Sequence, residues 1–311
     1  MSVILYAIII IILSVELIMG SLGNVFIVLV NIKNWVKRRT ISTVDQILMA
    51  LAISRFAFLC SIVTNVLVYV LLPFPIKTKN LIRITSTHWT ITNHFSIWLA
   101  TCLSIFYFLK IANFSNFVFL YLKWRVKKVV LVMLLASFLP LFLNILAINR
   151  CIDVWIDGHK ANMSYSVISS NSTQFSNLLI TNTIFTLIPF TVSLITFLLL
   201  IFSLWRHLKN MHHNAKDSRD VSSKAHIKTL QTVIIFLLLY AAFFLSLPLQ
   251  FWNDDFQQKY LIILFLRGIA IAFPSGHSYV LILGNIHLRQ ASFSVLWWLR
   301  CRLKGVECLG P

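Results

Sequence analysis

VILYAIIIIILSVELIMGSLGNVFIVLV, residues 3–30, carries one charge, Glu16, in a run long enough to cross a bilayer. A spanning helix needs about 20 mostly apolar residues, each adding 1.5 Å. Further runs of this kind lie roughly at 46–72, 89–109, 129–148, 178–205, 229–251 and 260–286. The 311-residue chain is 59% hydrophobic and 12% charged. Its mean hydropathy is +0.84. A soluble domain with that balance lacks the polar surface to cover its core. A membrane barrel would show short alternating strands, and these runs are long and continuous. The expected fold is an all-α integral membrane bundle of seven helices over residues 1–290, followed by a short basic tail at 291–311.

The net charge of +18 suggests nucleic acid only until the cations are placed. One set of connections holds Lys33, Lys37, Arg38 and Arg39, then Lys110 to Lys128, then Arg206 to Lys228, then the tail from Arg289 to Lys304. The opposite set holds Lys77, Lys79, Arg83, Arg150, Lys160 and Lys259. Cationic residues concentrate on the cytoplasmic side of membrane proteins. The pattern therefore predicts N-terminus outside, C-terminus inside, and basic faces that meet anionic headgroups rather than nucleic acid. The first run lacks a cationic leader and is too long for a secretory signal, so it reads as a retained span.

Two sequons, Asn162-Met163-Ser164 and Asn171-Ser172-Thr173, fall in the one sizeable outer loop and are expected to be glycosylated. Asn113-Phe114-Ser115 falls inside and is expected to be silent. Cys301 and Cys308 in the tail read equally as acylation sites or as free thiols in a reducing cytosol.

Ionisable groups within a membrane are costly and usually mark pivots or pathways. Glu16, Gly20 and Asn24 share one stripe of helix one. Arg55 lies within helix two. Asn24, Arg55 and the helix-seven residues Ser278 and Asn285 are expected to form one buried network, since a guanidinium offers five donors. Trp89 and Asn93 are one turn apart at the outer end of helix three, and Arg267 sits in the outer half of helix seven. Together they suggest a small-molecule cavity among helices three, five, six and seven, with aromatic walls and few polar anchors. No paired carboxylates, zinc-binding helix or phosphate loop is present, so no enzyme and no cofactor is expected. His207, His212 and His213 read as solvated loop histidines. No helix carries the polar stripe of an aqueous pore.

The chain closely resembles the vertebrate bitter taste receptor family, the type 2 taste receptors. The matching stretches are Glu16 with SLGNVFIVLVN (21–31), VDQILMALAISR (44–55), WLATCLSIFYFLKIANFSNFVFLYLKWRVKKV (98–129), IPFTVSLITFLLLIFSLWRHLKNM (188–211), KAHIKTLQTVIIFLLLYA (224–241) and PSGHSYVLILGNIHLRQ (274–290). The resemblance implies a multi-pass plasma-membrane receptor for small bitter compounds. Its partners would be gustducin or a related inhibitory-class G protein, acting through phospholipase C and calcium. It implies agonist contact at Trp89 and Asn93 and ligand selection at Arg267, whose charge should favour anionic or carbonyl-bearing ligands. Tyr107, Lys110 and His207 become candidates to face the G protein. FYFLKIA (106–112) and HSYVLILGN (277–285) stand where rhodopsin-like receptors carry their switch motifs. The disulfide that such receptors make at the outer end of helix three is missing, because no cysteine is available there. Alternatives are a non-gustatory or pheromone-type ligand on the same fold, or a membrane transporter.

Overall fold

In a computed structural model, residues 2–71, 79–161, 167–214, 220–249 and 256–303 are described. The elements are α1 (Ser2–Arg38), α2 (Thr43–Leu71), α3 (Lys79–Ile111), α4 (Phe117–Trp124), α5 (Val126–Ala136), α6 (Phe138–Ala161), α7 (Val167–Asn214), α8 (Asp220–Leu249), α9 (Phe256–Gly284) and α10 (Ile286–Leu303). No strand occurs among the described residues. Six of the helical spans are long and apolar enough to cross a membrane, with α5 and α6 together forming one of them. Those six are counted among the described residues, where the seventh expected span is represented by the shorter apolar stretch Gln231–Leu247 within α8. The protein is a helical membrane bundle, as its composition requires. In lipid every backbone polar group must be paired internally, and long helices achieve this.

Side-chain periodicity divides α1 into two faces. Ile4, Ile8, Ile11, Val15, Ile18, Leu22, Val25 and Leu29 are exposed along one stripe. The stripe follows the 3.6-residue repeat and is the face offered to lipid. The opposite stripe, Gly20, Asn24, Ile27 and Asn31, is buried. It packs on α9, where a Cβ at Gly20 would stand 2.2 Å from Ser275 Oγ and 2.8 Å from Ser275 Cβ. Glycine is needed there for the approach of two helices. Tyr279 Oη donates to the Met19 carbonyl at 2.8 Å and Ser275 Oγ to the Glu16 carbonyl at 3.1 Å, closing the same seam.

The most enclosed span is α3, which packs against α2, α5, α6 and α7. It begins well before the apolar run that starts at residue 89, because its outer turns are polar but still helical. The fourth span breaks at Ser137, between α5 and α6. Pro140, in the first turn of α6, has no N–H for the carbonyl of Ala136, which ends the regular ladder there. Residues expected to be plain tail instead continue as α10 to Leu303. Asn285 Oδ1 caps that helix, accepting from His287 N at 2.9 Å and Leu288 N at 3.3 Å.

Gly20→Val is expected to lower surface expression and the melting temperature of the purified receptor, at a cost of about 1–3 kcal/mol. Adding Ser275→Gly removes the colliding atoms and should recover most of that loss. Failure of the pair to recover would show that the contact is not the cause.

Candidate functional site

Arg55 is fully buried on α2. One Nη donates to His277 Nδ1 on α9, and the guanidinium lies 5.1 Å from the centre of the Phe273 ring. Its Nε and other Nη have no partner among the described residues. Beside it, Ser278 Oγ lies 2.8 Å from Asn24 Oδ1 and 2.9 Å from the Pro274 carbonyl. Asn24 Nδ2 donates to the Gly20 carbonyl at 2.7 Å. The expected network thus resolves into two neighbouring links, α2–α9 through Arg55 and α1–α9 through Asn24 and Ser278. Asn285 belongs to neither, because it caps α10. The partner of Arg55 is His277, and an isolated histidine in an apolar helix is itself a signal in the sequence.

A small cavity opens between α3, α6 and α7, with a volume of about 10 Å³, the room of a single water. Its polar lining is Thr90, Asn93, His94, Asn144 and Thr186, and its apolar walls are Ile97, Trp98, Phe185 and Pro189. Asn93 is therefore where a ligand anchor was expected. Trp89 does not line this cavity. Its ring packs toward Phe58 on α2 at 6.2 Å. Arg267 is exposed on α9 and does not line it either. The cavity lies on the α6 side of α3, not on the side of the sixth and seventh spans, so both residues face elsewhere. One of its polar residues, Asn144, comes from an apolar run, and its Nδ2 donates to Oδ1 of Asn182 on α7 at 3.1 Å.

Below the cavity, α3 and α7 are joined by hydroxyls. Ser193 Oγ donates to Thr101 Oγ1 at 2.9 Å, Thr101 Oγ1 lies 3.3 Å from the Pro189 carbonyl, and Ser104 Oγ and Thr196 Oγ1 are 3.1 Å apart. Tyr240 on α8 is fully buried, with its hydroxyl beside Thr101 and Ser193 but in no hydrogen bond of good geometry. Its ring packs against Phe190, Phe236 and Phe273.

At the other end of α3, Lys110 is exposed and Tyr107 is half-buried near Asp45. His207 lies on α7, within Val167–Asn214. Asn171 falls in the same helix, and Asn162 lies outside the described residues. Among the described residues no cluster of histidine, cysteine and carboxylate side chains could hold a metal.

These elements define a multi-pass helical membrane protein with a polar seam through its core and a cavity beside its central helix. Residues 1–300 match the family model described as "Taste receptor protein (TAS2R)". The chain is 57% identical to taste receptor type 2 member 140 of Rattus norvegicus over 300 residues, covering 96% of each chain. It is 56% identical to taste receptor type 2 member 14 of Papio hamadryas, covering 96% of this chain and 94% of the relative. It is 55% identical to taste receptor type 2 member 103 of Mus musculus, covering 99% and 98%. The chain belongs to the type 2 taste receptor family, the G-protein-coupled bitter receptors that its motifs resemble.

Removing the neutral acceptor of a buried guanidinium donor costs about 1–3 kcal/mol or more. His277→Ala should therefore nearly abolish folded receptor at the surface, whereas His277→Asn, which keeps an acceptor, should retain more of it. Equal loss in both variants, read by surface immunolabelling, would mean that the bond to Arg55 is not what holds α9.

Proposed function

We propose that this receptor is a plasma-membrane chemosensor that takes small bitter compounds between its outer helix ends and activates gustducin or a related inhibitory-class G protein. Phospholipase C and calcium release follow. The amino end faces outward and the basic connections inward, on the strength of where the cations fall. The observation that carries the reading is Asn93. It is 4% exposed, it lines the cavity, and it sits two turns along α3 from Thr101, the centre of the α3–α7 hydroxyl links.

A ligand shifts a receptor only by binding one packing better than another. Occupying the cavity presses on Pro189, whose carbonyl faces Thr101. The hydroxyl links are neutral and weak, about 1 kcal/mol each. They offer a joint that yields to a small displacement of α7. Tyr240 stands next to that joint, so α8 is the element placed to respond. At the inner end, exposed Lys110 is the α3 residue best placed to meet the G protein.

Cells expressing the full chain with a gustducin-bearing chimeric G protein should give calcium responses to members of a bitter panel. Asn93→Leu should raise the half-maximal concentration of those agonists about tenfold or more at equal surface labelling. No response to any compound, or unchanged potency for every agonist in the variant, would refute the reading. Lys110→Ala should depress the maximal response without moving potency. Glycosidase digestion should shift the receptor's mobility, by less in Asn162→Gln and in Asn171→Gln, and not at all in the double variant. An unshifted wild type would contradict the outward placement of that segment.

A further inference from the structure

The short helix α4 turns most of its large side chains outward. Phe117 is 81% exposed and Trp124 95%, and Leu120 and Tyr121 are exposed between them. At about 3.6 residues per turn these four fall on one face, with Phe119 and Lys123 on the opposite one. That opposite face is anchored. Phe119 is buried against Phe108 and Phe114, with ring centres 5.4 and 5.2 Å away. Lys123 Nζ donates to the Ala112 carbonyl at 2.9 Å, just past the end of α3. Asn116 Oδ1 caps the helix, accepting from Val118 N at 2.9 Å. Short tethers fix its level: residues 112–116 join it to the third span, and Arg125 alone joins it to the fourth, which begins at Val126. Thus α4 lies where two spans leave the membrane. The charge around it has one sign. Lys110, Lys123, Arg125, Lys127 and Lys128 are the charged residues from 110 to 128, with no carboxylate among them. Arg125, Lys127 and Lys128 are exposed, and the Arg125 guanidinium stands 4.9 Å from the centre of the Tyr121 ring. Beyond them α5 carries exposed apolar residues, Leu131, Val132 and Leu135, on its lipid-facing side.

We propose that α4 is an interfacial anchor: Phe117, Leu120, Tyr121 and Trp124 sink into the acyl–headgroup boundary of the leaflet on the basic side, and Arg125, Lys127 and Lys128 hold anionic lipid headgroups beside them. Tryptophan and tyrosine suit that depth, because each ring pairs an apolar body with a polar tip. Helices of this kind bind through buried apolar area plus attraction to anionic lipid. Cations beside a span, with no carboxylate to neutralise them, supply that attraction. A protein partner would also cover aromatic rings, but the two short tethers and the continuity with the lipid-facing side of α5 favour lipid. The anchor acts on α3. Through the Lys123–Ala112 bond and the Phe108–Phe114–Phe119 cluster, the depth of α4 in the leaflet sets the position of that end of α3, and with it Lys110. Only the naming of that leaflet as the cytoplasmic one rests on the proposed orientation.

Trp124 is one of nine tryptophans, so its signal is the emission that a Trp124→Phe partner lacks. The purified full-length receptor is placed in phosphatidylcholine nanodiscs that carry a minor share of a lipid brominated high on one acyl chain, a contact quencher. That lipid is either phosphatidylcholine or phosphatidylserine. Both should quench the Trp124 emission, and the serine lipid about twofold more, because the cations gather it. Arg125→Gln, Lys127→Gln and Lys128→Gln combined, read against its own Trp124→Phe partner, should erase that preference and keep the quenching by the choline lipid. Both leaflets of the disc share one composition, so an error in the proposed orientation leaves the result unchanged. Emission that neither lipid quenches overturns the proposal, and emission that changes only when G protein is added would assign the face to that protein instead. Equal quenching by the two lipids in wild type overturns the headgroup site even if the triple variant fails to fold. A preference that survives in a folded triple variant means that other cations gather the lipid, and overturns it as well.

Discussion

A guanidinium in the middle of a membrane protein dictates what must surround it. The cost of taking that charge out of water is several kcal/mol even after relaxation. Here it is met in part, by one imidazole and one aromatic face, both on α9. The α2 and α9 spans otherwise touch only sparingly. Arg55 therefore fixes the distance between two helices that have little else to hold them. Asn24 and Ser278 add a polar link one residue further along between α1 and α9, which also pack closely along the Gly20 seam. These polar links add to the apolar packing of α9 against α1 and α8.

The contrast with the α3–α7 contact is physical. Around Arg55 the links involve a charge, and losing one exposes an uncompensated group. Between α3 and α7 they join serine and threonine hydroxyls, which can turn back to carbonyls of their own helices at little cost. Thr196 already does so, lying 3.0 Å from the Val192 carbonyl while also near Ser104. One side of the bundle is thus joined through a charge and the other through neutral hydroxyls. The cavity lies on the hydroxyl-linked side, and Tyr240 sits between the two, touching Phe190 on α7 and Phe273 on α9.

What could be read from the amino acids follows the same division. The spans were legible because lipid imposes a length and an apolar composition that no other environment requires. The buried face of α1 was legible because Gly20 and Asn24 recur at helical spacing. Arg55 announced itself by its charge, but its partner did not, since which residue meets it depends on how α2 and α9 cross. Asn285 looked equivalent to Ser278 on periodicity alone, and was misplaced because α9 ends at Gly284 and the amide is drawn into capping the next helix. One-turn spacing implies a common direction for Trp89 and Asn93. The structure separates them, Trp89 toward α2 and Asn93 toward α6 and α7. The cavity's other wall was illegible for a further reason: Asn144 and Asn182 are far apart in sequence and acquire meaning only as a pair.

The outer end of α3 shows what replaces the absent disulfide. Arg83 meets Asp153 of α6 at 2.5 Å, with both side chains about one-third exposed. An ion pair so placed contributes about 0–1 kcal/mol, where a disulfide typically contributes about 2–4. Cys151, near that pair in sequence, is a free thiol with a weak contact to Thr181 at 3.8 Å. The mouth between α3 and α6 is therefore held by a reversible, solvent-screened contact instead of a covalent one.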